Sequence, residues 1–110
     1  MANQDNNQLE EKAEVFFNRA AKIAESGNYD YAVDMYLEGL KCTPDEVQKG
    51  HIPLYDMALK RQSKGGKKPS MMERVKHLRG KSSLEKMLNA EYLLAKDPDN
   101  LSYAEAMLRA

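Results

Sequence analysis

The chain has 110 residues, 42% hydrophobic and 31% charged, with a formal net charge of zero, a balance that fits one folded domain and argues against disorder throughout. One cysteine, Cys42, excludes an intrachain disulfide framework and a cysteine-based zinc site. The polar, acidic start lacks the basic and apolar regions of a secretory signal, and no apolar run is long enough to span a bilayer, so a cytoplasmic protein without a membrane segment is expected.

Leucine, alanine and methionine outweigh the few β-branched residues, and tryptophan is absent, so the expected fold class is all-α. Charge is uneven along the chain: residues 1–46 carry a net −6, residues 47–81 a net +8, and the remainder −2. A solvated basic loop is the plain explanation of the middle block; charge pairing within or between chains is the alternative.

Residues 1–7 read as a flexible tail. From Leu9 to Ser26, the residues Leu9, Ala13, Phe16, Phe17, Ala20, Ile23 and Ala24 recur at helical spacing and form one apolar stripe. Gly27 and Asn28 end that helix, because both tolerate the left-handed backbone that closes it. A second helix is predicted over Tyr29–Cys42, with Tyr29, Ala32, Val33, Tyr36 and Leu40 inward. In Thr43-Pro44-Asp45-Glu46 the threonine is expected to cap the next helix, the proline to occupy its first position, and Glu46 to complete a capping box.

The stretch Ala13–Glu46 resembles a tetratricopeptide repeat, a unit of about 34 residues. Phe16 and Tyr36 stand at its two aromatic sites, Ala20 and Ala32 at its small sites, Gly27-Asn28-Tyr29-Asp30 at its turn, and Pro44 at its closing proline. Two departures are Arg19, where the family usually has leucine, and Gly39, where it usually has alanine; the glycine costs about 1 kcal/mol of helix stability and marks a soft or closely packed point. The resemblance is to the N-terminal part of a bacterial-type protein of this family. It implies antiparallel helix-turn-helix repeats stacked as a short right-handed α-solenoid, with residues 8–46 as the first repeat.

A second repeat, 44–100, is expected to be interrupted by a basic helical insertion at 64–82. Its first helix reaches Ser63, with Pro53 breaking the hydrogen-bond ladder near Gly50–Pro53. Within the insertion, Ser70-x-x-Glu73 is a capping box that predicts a short helix over Met71–Arg79, with Met71, Met72, Val75 and Leu78 on one face. The returning helix is Ser83–Lys96, followed by Asp97-Pro98-Asp99-Asn100. Ser102-x-x-Glu105 then opens residues 101–110, read as the first helix of a truncated third repeat. Its Tyr103, Met107 and Leu108 lack a full set of packing partners, so pairing with a second chain is a possible use of that helix.

No catalytic constellation is present, and an enzyme is not expected. Ser63–Ser70 superficially resembles a phosphate loop but lacks the glycine spacing and a Gly-Lys-Ser or Gly-Lys-Thr. His51 and His77 have no helical neighbours to complete a metal site, and no cofactor or metal is implied. Cys42 reads as a structural thiol and not a nucleophile.

The family resemblance implies a scaffold that binds a protein or peptide partner. Its groove would be lined by Glu14, Phe17, Ala21, Ala24 and Glu25, then by Ile52, Tyr55, Leu59 and Gln62, apolar with acidic edges and suited to a helical or extended segment. Phe17 and Ala21 stand where the family's dicarboxylate clamp needs lysine and asparagine, so acidic chaperone tails are disfavoured. Equally open at this point is that the insertion's Met71, Met72, Val75 and Leu78 fold back over Phe17, Tyr55 and Leu59, or that further repeats cover them. The alternative function is binding of nucleic acid or another anionic surface through residues 60–81, with Lys64, Lys67, Lys68, Arg74, Lys76, Arg79 and Lys81 as contacts. Nucleic acid is the weaker of these because the segment has no aromatic residue on which a base could stack.

Overall fold

The structure, a computed structural model, describes residues 2–77 and 80–109, with side chains described from residue 7 onward. Regular structure among them is wholly helical: α1 (Ala2–Glu25), α2 (Tyr29–Cys42), a π turn (Val47–His51), α3 (Ile52–Ser63), α4 (Met71–His77), α5 (Ser83–Lys96) and α6 (Leu101–Arg109). These elements fall into two compact units, residues 1–54 and 55–110, whose boundary lies inside α3. No helix among the described residues is long and apolar enough to cross a membrane.

In the first unit, α1 runs back to Ala2, through the polar stretch that the sequence reading assigned to a flexible tail. Neither proline nor glycine occurs before Gly27 to stop it. Gly27, at φ +90°, then closes the helix: its N–H donates to the Ala24 carbonyl at 3.0 Å and that of Asn28 to the Ile23 carbonyl at 3.3 Å, a Schellman arrangement that satisfies the last carbonyls. Asn28 also caps α2, its side chain accepting the Tyr31 N–H. With so short a turn, α1 and α2 pack as an antiparallel hairpin.

Its core is Ala13, Phe17 and Ala20 from α1 against Ala32, Val33, Tyr36, Leu37 and Leu40 from α2. Ala20 and Ala32 are fully buried; their small size lets the backbones approach, while the Phe17 and Tyr36 rings, 6.4 Å apart, fill the space beside them. A Cβ on Gly39 would enter the Phe17 ring. Tyr29 is half-buried and Tyr36 is 4% exposed, so the tyrosines predicted to pack do so.

The expected capping box at residues 43–46 is not formed. Thr43 instead closes α2, directing its N–H (3.0 Å) and its hydroxyl (3.4 Å) at the Gly39 carbonyl, because a residue before proline is pushed out of the helical region. Glu46 becomes the cap, accepting the Lys49 N–H, and the helix starts at Val47. It starts as a π turn, with His51 donating to Glu46 and Ile52 to Val47. Pro53 follows in the first turn of α3, so its missing donor falls where the register is already changing. This is the interruption expected near residues 50–53. Gly50 is buried there, and a Cβ on it would meet Leu40 at 2.5 Å and Phe17 at 3.2 Å.

In the second unit, α3 buries Met57, Ala58 and Arg61, while α5 buries Leu88, Ala90, Leu93 and Ala95. Arg61 is 7% exposed, and its guanidinium donates to the carbonyls of Lys67 (2.7 Å) and Lys96 (3.3 Å), which ties the loop after α3 to the end of α5. Gly65, at φ +81°, closes α3 in a second Schellman arrangement, with Gly66 donating to Arg61. α5 covers the predicted span and is capped by Ser82, which accepts the Glu85 N–H, while the Glu85 carboxylate accepts the N–H of Lys81, one residue before the cap. α6 begins at Leu101, where the sequence reading puts it, but its cap differs: the Asn100 side chain, not Ser102, accepts the first free N–H, from Tyr103 at 3.2 Å. The turn that joins Asn100 to Asp97 places it there.

Candidate functional site

A cleft of about 400 Å³ opens in the first unit, where the N-terminal half of α1 faces the loop after α2. Hairpin geometry brings the two together, since the end of the second helix returns beside the start of the first. Ala13 and Phe17, both buried, form its floor with Pro44, and its rim carries Glu10, Glu14, Asp45, Glu46 and Lys49. Four carboxylates against one ammonium make it an acidic site over an apolar base. Lys49 reaches Glu14 at 3.0 Å in an exposed pair, and that hydrogen bond, more than the coulombic field of the neighbouring acids, raises the lysine's pKa.

Of the predicted groove residues in this unit, Glu14 and Phe17 line the cleft. Phe17 is 5% exposed, so it supports the floor instead of presenting a face to a guest. Ala21, Ala24 and Glu25 lie farther along α1 and are not part of the cleft, and Ile52 is exposed at the start of α3. In the second unit, Tyr55 and Leu59 are exposed on the face of α3 opposite Met57, Ala58 and Arg61, and Gln62 donates to Asp99 at 2.9 Å. The sequence reading missed Glu10, Asp45, Glu46 and Lys49. Glu10 and Glu14 stand one helical turn apart, and the acidic pair after Pro44 must land beside them if the hairpin arms match in length; that combination was the available signal.

The segment that the sequence reading treats as an insertion is held to α5 by polar groups. Ser70 accepts the Glu73 N–H and starts α4 as its capping box predicts. Glu73 then accepts hydrogen bonds from the Tyr92 hydroxyl and the Lys96 ammonium, each at 2.9 Å. One turn on, the His77 ring stacks 3.9 Å from that of Tyr92 and its Nδ1 donates to the Asn89 side-chain oxygen; Lys96 also lies 4.7 Å from the Tyr92 ring centre. The hydrogen bond from Lys96 is the chief reason the Glu73 carboxyl falls to about 2; burial opposes it and the Tyr92 hydroxyl assists. Burial raises the Tyr92 phenol.

Thus α4 docks on α5 through its polar side. Met71, Met72 and Val75 are 71%, 83% and 55% exposed, so the stripe does not bury these three residues, as the fold-back left open by the sequence would have done; Leu78 lies outside the described residues. The anion-binding candidates Lys64, Lys67, Lys68, Arg74, Lys76 and Lys81 are all exposed, and Arg79 is outside the described residues. Gly65 and Gly66 serve as a helix cap, which gives them a structural use unrelated to phosphate. Cys42 is half-buried and unbridged, and among the described residues no His, Cys, Asp and Glu side chains gather into a metal-binding group. Comparison with family models, with curated proteins and with solved structures finds no match to the chain.

Proposed function

We propose that the protein is a helical interaction module of the tetratricopeptide type, whose first unit holds a segment of a protein partner bearing basic and apolar side chains. The observation that carries this reading is the cleft: an apolar base of Ala13 and Phe17 rimmed by Glu10, Glu14, Asp45 and Glu46. An aliphatic side chain of the guest would cover the base, and its lysines or arginines would meet the rim. Stacking of further repeats into a solenoid belongs to the same proposal, supported by the tight hairpin, its small-residue seam and the proline that closes it.

Fluorescence anisotropy with a labelled leucine-lysine peptide tests the reading. Saturable binding is expected, weakened about tenfold in a Glu10→Lys, Asp45→Lys variant, since neither residue caps a helix. Equal binding of a leucine-glutamate peptide, or no change in the variant, contradicts it.

A second reading is favoured by the exposed Met71, Met72 and Val75 amid Lys67, Lys68, Arg74 and Lys76: a basic, apolar helix suited to an anionic surface. It requires retention on heparin that falls steeply with salt. Elution without retention removes it.

A further inference from the structure

The second unit holds another pocket, of about 360 Å³, open to solvent and lined from α4, α5 and α6. Its character is opposite to that of the acidic cleft. Lys86 and Arg109 bring two cations to its lining, Tyr103 and His77 add polar ring groups, and among the described residues no carboxylate lines it. Below them, Ala90 (4% exposed) and Leu93 (1%) make an apolar floor. The room exists because Ala90 on α5 and Ala106 on α6 are small where leucines would fill it. Arg109 pairs with Glu105 at 3.7 Å, both side chains mostly exposed. That separation is too long for a good hydrogen bond, so the guanidinium can turn to a better acceptor.

We infer that this cavity is a binding site for a carboxylate carried on an apolar body. The carboxylate pairs with Lys86 and Arg109 and accepts from the Tyr103 hydroxyl, while the body lies on Ala90 and Leu93. A charged group alone would leave the floor uncovered, and an apolar molecule alone would make no use of the two cations at the rim. The volume falls within the usual range of small-ligand sites. Two sources share this chemistry, a free small acid and the C-terminal residue of a peptide that ends in an apolar side chain.

The test uses the full chain, labelled with nitrogen-15, and follows amide shifts during titration. The probes are 3-phenylpropionate, its neutral amide, and a short peptide ending in phenylalanine with its terminus free or amidated. At least one acid should give saturable shifts at Lys86, Ala90 and Ala106, with its neutral counterpart about tenfold weaker. If the small acid saturates and the free-acid peptide does not, the ligand is a free acid; the reverse assigns a peptide terminus. A Lys86→Ala, Arg109→Ala variant changes exposed positions only and should lose about tenfold in affinity, and Ala106→Leu should block the cavity from an exposed helix face. The proposal is overturned if neither acid saturates at millimolar concentration, if the neutral probes bind as tightly, or if both folded variants bind like the parent chain.

Discussion

Glycine in the middle of α2 is a poor helix former, and by helix propensity alone Gly39→Ala should stabilise the protein by about 1 kcal/mol. Its neighbour reverses that expectation. The Phe17 ring lies where the new methyl group must go, and Phe17 is itself wedged against Tyr36 and Gly50. Overpacking a tight contact of this kind costs about 1–3 kcal/mol, so Gly39→Ala is predicted to lower stability by about 1 kcal/mol or more, read as a lower urea midpoint at unchanged slope. Phe17→Ala, which empties the same place, should cost about 3–4 kcal/mol. The sequence already marked Gly39 as a departure that was either soft or closely packed. Only the position of the ring across the hairpin decides between these, because that contact joins residues distant in the chain.

At the scale of elements, α4 shows what helical period reveals and what it leaves open. Spacing identified Met71, Met72 and Val75 as sharing a face, but not which face would dock. Glu73 and His77, on another side of the helix, found Tyr92, Asn89 and Lys96 on α5, and this polar match left the methionines in solvent. The ion pair is partly screened: side-chain exposure is 12% for Lys96 and 33% for Glu73. Its worth is therefore about 1 kcal/mol, well below what the full pKa shift would imply. The sign follows from linkage. The folded carboxyl sits near 2 and the unfolded one near its ordinary 4.5, so the stabilisation is fully present above pH 4.5 and is lost as pH falls toward 2. Protection factors of α4 amides, with the intrinsic exchange rate at each pH divided out, should fall as pH drops through that window, and Glu73→Gln should flatten the dependence.

The spans of α2 and α5 were legible to the residue, because a strong stripe ends in a capping or turn signal on each side. The two misassigned caps, Thr43 and Ser102, were places where neighbouring residues competed for one role. Thr43 was taken by the end of the preceding helix through its proline neighbour, and Asn100 was placed ahead of Ser102 by its turn. Local pattern names the candidates in such cases, and the loop's path selects among them.

Across the whole molecule, the uneven charge of the sequence becomes a contrast between sites. The acidic first block supplies the cleft rim, and the second unit bears the exposed lysines of the insertion and a cavity lined by Lys86 and Arg109. Fold class and the first hairpin could be anticipated from residue types, but half of the cleft could not, since Asp45, Glu46 and Lys49 come from a loop whose position depends on the length of both arms. Binding of a basic segment to the rim should weaken with ionic strength, as exposed charges are screened beyond about 8 Å at physiological salt, while the apolar base preserves residual affinity at high salt. The most direct measurement is amide shift mapping of the chain with the leucine-lysine peptide. The largest changes are expected at Glu10, Ala13, Glu14, Phe17 and residues 45–49; saturable binding with those amides unmoved would rule out the cleft as the partner site.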